Sequence, residues 1–93
     1  MIIWVNSVPY KKREKDKIIY DKKECYGLAD HEKKTIDIQK KQERCFKNKT
    51  IFHECLESIN FQYRIGLEHE QIELLEYGIY DTIKRNKLWW LFR

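Results

Sequence analysis

The sequence predicts an α+β domain in which a small, mostly antiparallel sheet is followed by two packed helices. Three observations carry that prediction. Before residue 40, apolar side chains come in short β-branched or alternating runs separated by turn-forming residues. After residue 40 they recur at helical spacing, along two separate segments. The chain has 93 residues, enough for one domain, 1–93, with no room for a second. Strands first and helices second place the helices together on one face of the sheet.

Ile2-Ile3-Trp4-Val5 is an apolar run bounded by Asn6-Ser7 and Pro9, and reads as an opening strand. Residues 10–16 are polar and read as a loop or strand edge. Lys17-Ile18-Ile19-Tyr20 is β-branched and aromatic, a second strand. Residues 25–29 and 34–38 form a hairpin: Thr35-Ile36-Asp37-Ile38 alternates with period two, and Asp30-His31-Glu32-Lys33 supplies the turn. Phe52, Cys55, Leu56, Ile59 and Tyr63 mark one stripe of a first helix, ended by a turn near Gly66. A second helix is expected over 68–84 with the stripe Ile72, Leu75, Ile79 and Ile83. Acidic residues crowd its first turn, where the helix dipole favours them. Asn86 breaks it, and Leu88-Trp89-Trp90-Leu91-Phe92 follows.

Composition narrows the class further. A chain this short buries roughly 60–65% of its unfolded surface, so its core is thin. Charged residues make up 37% of it, while 14% aromatics exclude a disordered tail protein. Nineteen Lys and Arg against fifteen Asp and Glu leave a mild +4, concentrated near Lys11, Lys12, Arg13 and Lys15. That edge reads as a solvated, lysine-rich segment, and without a nucleic-acid motif no nucleic-acid partner is expected. Three cysteines, with no C-x-x-C pair, suit reduced thiols and a cytoplasmic location. The first five residues are too short for a signal peptide, and no apolar run reaches membrane-spanning length, so no membrane association is expected.

The chemistry lies on the first helix, in His53-Glu54-Cys55-Leu56-Glu57. His53 and Glu57 are four residues apart and point about 40° from each other, at the border of the apolar stripe. Glu54 is expected to turn further from the stripe, free to hold a water. Glu73 falls at the border of the second helix's stripe, about 100° from Ile72. Packed stripe to stripe, the two helices bring His53, Glu57 and Glu73 together. Three protein ligands plus an open position are the layout of a catalytic zinc site, with Glu54 as general base.

The stretch Thr50-Ile51-Phe52-His53-Glu54-Cys55-Leu56-Glu57-Ser58-Ile59 resembles the active-site helix of small zincin-type metallopeptidases of phages and mobile elements, the ImmA/IrrE-like and SprT-like proteins. The hairpin before it and Glu70-Gln71-Ile72-Glu73-Leu74-Leu75-Glu76 after it are similar to the flanking elements of those proteins. The similarity runs over residues 27–91 and implies a zincin-like fold, a divalent metal and peptide-bond cleavage. Those proteins read His-Glu-x-x-His; this chain reads HExxE, with Glu57 in place of the second histidine. One imidazole and two carboxylates would soften the metal's Lewis acidity and shift preference from zinc towards manganese or iron.

Each of these residues also has a plainer reading. His53 is then a satisfied helix histidine, Glu57 a carboxylate near Arg64, and Glu73 one exposed acid among several. His69, four residues before Glu73, either substitutes as a ligand or faces water; His31 is a turn residue, and Cys55 a small core hydrophobe. The terminal Trp89 and Trp90 either pack back on the domain or form a partner-binding patch. Two functions stay open: a minimal or degenerate metallopeptidase, or a non-catalytic phage-encoded protein that inhibits a host defence protein in the bacterial cytosol. Oligomeric state is not legible.

Overall fold

A computed structural model describes residues 1–92. Six strands come first: β1 Ile2–Val5, β2 Val8–Lys15, β3 Ile19–Tyr20, β4 Lys23–Glu24, β5 Gly27–Asp30 and β6 Thr35–Gln39. Two helices follow, α1 Arg44–Tyr63 and α2 His69–Asn86, then a 3-10 turn at Leu88–Phe92. The class is α+β as expected. The main sheet has the order β1-β2-β6-β5, with antiparallel pairs at both edges and a parallel β2–β6 pair at the centre.

Local chemistry sets the turns. The β5–β6 hairpin turns at Asp30, whose Oδ1 accepts the Glu32 and Lys33 amides at 3.0 and 2.9 Å. His31 stays at that turn, its ring stacked on Phe61 with centroids 4.3 Å apart. The expected strand at 17–20 shortens to Ile19–Tyr20, which pairs with β4 in a separate two-stranded ribbon. Asp21 and Lys22 both take positive φ in its tight turn, as a primed turn demands.

The polar segment 10–16 departs most from expectation, because it belongs to an internal strand. Tyr10 is fully buried, and the charged side chains beyond it find partners on neighbouring elements. Arg13 makes a two-pronged contact with buried Asp37 of β6 at 2.8 and 3.1 Å, with Lys15 alongside; Glu14 pairs with Lys47 of α1. Cross-element pairing of this kind cannot be read from hydrophobic alternation within one strand.

The core is Val5, Tyr10, Ile36 and Ile38, with Ile51, Cys55 and Ile59 of α1 laid across it. The face of α1 is therefore rotated from the predicted stripe: Thr50, Glu54 and Ser58 are buried, whereas Tyr63 is 65% exposed. Phe52 turns instead towards α2, its ring 6.5 Å from that of Tyr80. One apparent stripe is thus two, because α1 is covered by the sheet on one side and by α2 on the other. The hydroxyls of Thr50 and Ser58 donate to the carbonyls of Phe46 and Glu54, at 3.0 and 2.9 Å, which satisfies them within the helix.

Helix α1 ends where Arg64 adopts the left-handed conformation, and the Ile65 amide closes back on the Asn60 carbonyl at 3.1 Å. A capping box between Glu68 and Gln71 opens α2, with the Glu68 amide 2.8 Å from Gln71 Oε1. Its inner face is Ile72 and Glu76; Leu75 and Ile79, expected inside, are exposed. The terminal turn packs on α2 through Trp89 against Tyr80, yet Trp89 and Trp90 remain 53% and 57% exposed. Among the described residues all three cysteines are unpaired, and no helix is long and apolar enough to cross a membrane.

Candidate metal centre

Helix spacing alone brings His53 and Glu57 together on α1: His53 Nε2 lies 3.5 Å from Glu57 Oε2. The first residue of α2, His69, aims its Nδ1 at the same oxygen from the other side, at 3.3 Å. One donor atom from each of His53, Glu57 and His69 lies within 4.8 Å of the other two, a His-Glu-His cluster within metal-binding distance.

Each imidazole is also held from behind. His53 Nδ1–H donates to Glu76 Oε1 at 2.7 Å, and Glu76 is buried beneath α1. His69 Nε2 lies 3.1 Å from Glu73 Oε1. A carboxylate on the far nitrogen fixes ring orientation and tautomer, leaving the near nitrogen to face the shared point. The donor set and its supports are therefore compatible with a metal ion.

Glu54 occupies a different environment. It is 8% exposed, pressed between α1 and the edge strand β5. Gly27 makes that approach possible, since a Cβ there would stand 2.6 Å from Thr50 Cγ2 and 3.2 Å from the Glu54 carboxylate. Burial pushes the Glu54 carboxyl up to about 7, against the opposing pull of the His53 charge. The expectation that Glu54 turns away from the packed face is thus corrected. It borders the cleft from a buried position, because β5 covers the side of the helix that the pattern left open.

Charge in the cluster is strongly coupled. Hydrogen bonding to Glu57, with Glu76 adding to it and burial opposing, raises His53 to about 9. Glu57 is lowered by its hydrogen bond with His53 and then by that with His69. His53, Glu54, His69, Glu73 and Glu76 border one cleft of about 360 Å³, whose other walls include Tyr26, Phe46 and Tyr77.

The structure thus brings the predicted His53 and Glu57 together and sets Glu54 beside them. Glu73 stands on the far side of His69, supporting a donor rather than joining the three. His69 was legible only as a substitute ligand, and Glu76 was not singled out. A signal for Glu76 exists: it lies one helical turn after Ile72, so it shares the buried face, where a carboxylate needs a partner. Comparison of the chain with protein-family models, with curated proteins and with solved structures finds no significant match.

Proposed function

We propose that the chain is a zincin-like metal-dependent hydrolase of peptide bonds, with His53, Glu57 and His69 as metal ligands and Glu54 as general base. The observation that carries this is the convergence of the three donor atoms within 4.8 Å, each imidazole backed by its own carboxylate. The sequence pattern alone suggests one imidazole and two carboxylates. With His69 in place of Glu73 the set becomes two imidazoles and one carboxylate, a composition used by catalytic zinc sites. The substitution at position 57 is then offset by a histidine on the second helix.

A divalent cation held there would supply a Lewis acid that polarises a peptide carbonyl and acidifies a water. The chain's own contribution is proton handling and positioning. With a carboxyl near 7, Glu54 can take a proton from the attacking water and return it to the departing amine as the C–N bond breaks. Glu76 and Glu73 keep the two imidazoles turned inward. Tyr26, Phe46 and Tyr77 form a largely apolar wall against which a substrate side chain would lie.

The test is elemental analysis and calorimetric titration of the untagged protein with zinc, manganese and iron(II), followed by a peptide-library cleavage assay. One metal per chain is expected, retained in Glu54→Gln while cleavage is lost. Protein that takes up none of the three metals would overturn the reading.

A second reading has its own support in the exposed Trp89 and Trp90. On it, the same scaffold is a non-catalytic phage-encoded factor that binds and inhibits a host defence protein, since aromatic side chains dominate interface hot spots. It expects Glu54→Gln to be silent in a phage-protection assay and the pair Trp89→Ala, Trp90→Ala to abolish protection. The opposite pattern would leave the hydrolase alone.

A further inference from the structure

Helix α2 has two faces, and the site uses one of them. The inner face carries His69, Ile72 and Glu76. The outer face carries Leu74, Leu75, Gly78, Ile79, Thr82 and Ile83, which line a shallow groove of about 340 Å³ without a titratable group. Leu74 is 72% exposed, and Leu75 and Ile79 are exposed beside it. Gly78 lies at the middle of this lining without a side chain, and the space over it is open, since a Cβ there would meet nothing within 4 Å. Contiguous apolar surface centred on a glycine is costly to leave in water and lets another helix approach closely.

Charge indicates which helix. The N-terminal end of α2 is acidic, with Glu70 in its first turn, and the C-terminal end is basic, with Lys84 and Arg85 in its last. A copy of α2 laid antiparallel across Gly78 sets acidic end over basic end at both extremities, and opposes the helix dipoles favourably. The spacing agrees. Glu70 and Arg85 stand eight and seven residues from Gly78, so they meet about 11 Å either side of the crossing. Leu74 and Thr82 are both four residues away and face each other. Within one chain Arg85 Nε contacts Asp81 Oδ2 at 3.0 Å, in an exposed pair that can extend to an incoming Glu70 without being broken.

We propose that this face pairs with the same face of a second copy of the chain, forming a two-fold dimer through antiparallel α2 helices crossing at Gly78. The pairing is isologous, so each contact is made twice and the interface closes on itself.

Light scattering after size exclusion and sedimentation velocity, from micromolar to near-millimolar protein, test it. A concentration-dependent dimer is expected in the wild type. Leu74→Glu is expected to weaken it at least about tenfold, since a buried charge without a partner opposes association. Circular dichroism checks that this exposed position leaves the fold intact. Glu70→Arg and Arg85→Glu each weaken the dimer at low salt, and the two together recover affinity over either alone. A wild type that stays monomeric throughout, a dimer indifferent to Leu74→Glu, or charge exchanges with no reciprocity would each overturn the proposal.

Discussion

The two sides of α1 are built on opposite principles. Towards the sheet, Ile51, Cys55 and Ile59 lie on Val5, Tyr10, Ile36 and Ile38, an apolar centre with the ionisable groups Glu54 and Lys47 set at its margins against β5 and β2. Towards α2, the same helix presents His53 and Glu57 to His69 and Glu76, a contact made largely of coupled charges. Apolar burial stabilises roughly in proportion to area, whereas a partly buried ion cluster yields little net stability after desolvation. The sheet side therefore holds the fold together, and the α2 side carries a charged His-Glu-His cluster within metal-binding distance.

The sharpest test of that division is a pair of substitutions. Ile36→Ala, at a fully buried position, is expected to cost about 2–5 kcal/mol in urea unfolding, with or without metal. On the other side, His69→Ala removes a group that is 63% exposed, so the metal-free protein should change by no more than about 0.5 kcal/mol. Under the proposed function its effect appears on adding metal. A wild type saturated at a hundredfold excess over Kd gains about 2.7 kcal/mol, and the variant should gain little of it. If both variants lost stability equally without metal, the division would fail.

Protonation sharpens the same comparison. His53 is raised to about 9, so at neutral pH the folded chain keeps its proton. A metal requires the neutral imidazole, so binding at pH 7 should release about one proton, measurable by calorimetry in buffers of different ionisation enthalpy. Affinity should rise about tenfold per unit as pH climbs from 7 towards 9 and then level off. For the chain without metal the sign reverses. The His53 contribution to stability is complete below its ordinary value near 6.5 and is lost as pH rises through about 9.

The smallest expected effect falls on the sheet side. Thr35 Oγ1 is buried with no hydrogen-bond partner, the one such side-chain atom among the described residues. Thr35→Val should therefore be neutral or stabilise by about 0.5–1 kcal/mol in thermal or urea unfolding. A loss of stability there would show that the hydroxyl is solvated after all.

Part of the site could be read before any coordinates. His53 and Glu57 share a face because four residues nearly complete a helical turn, and no packing is needed to know it. Which group α2 would bring depends on its rotation about its own axis. The apolar pattern gave the stripe Ile72, Leu75, Ile79 and Ile83 with Glu73 at its border; the packed face runs through Ile72 and Glu76, which delivers His69. The buried position of Glu54 was equally hidden, because it depends on β5 lying over Gly27.

By itself the sequence determined the α+β class, the opening strand, the 25–38 hairpin with its turn at Asp30, the two helices and the HExxE spacing. Each of these rests on interactions between residues a few positions apart, so a short window contains its cause. Only the tertiary structure decided that the polar β2 lies inside the sheet beside β6, that α1 is covered on two sides, and that His69 meets Glu57. Those outcomes depend on side chains distant in the chain competing for the same space, and no local pattern records which of them prevails.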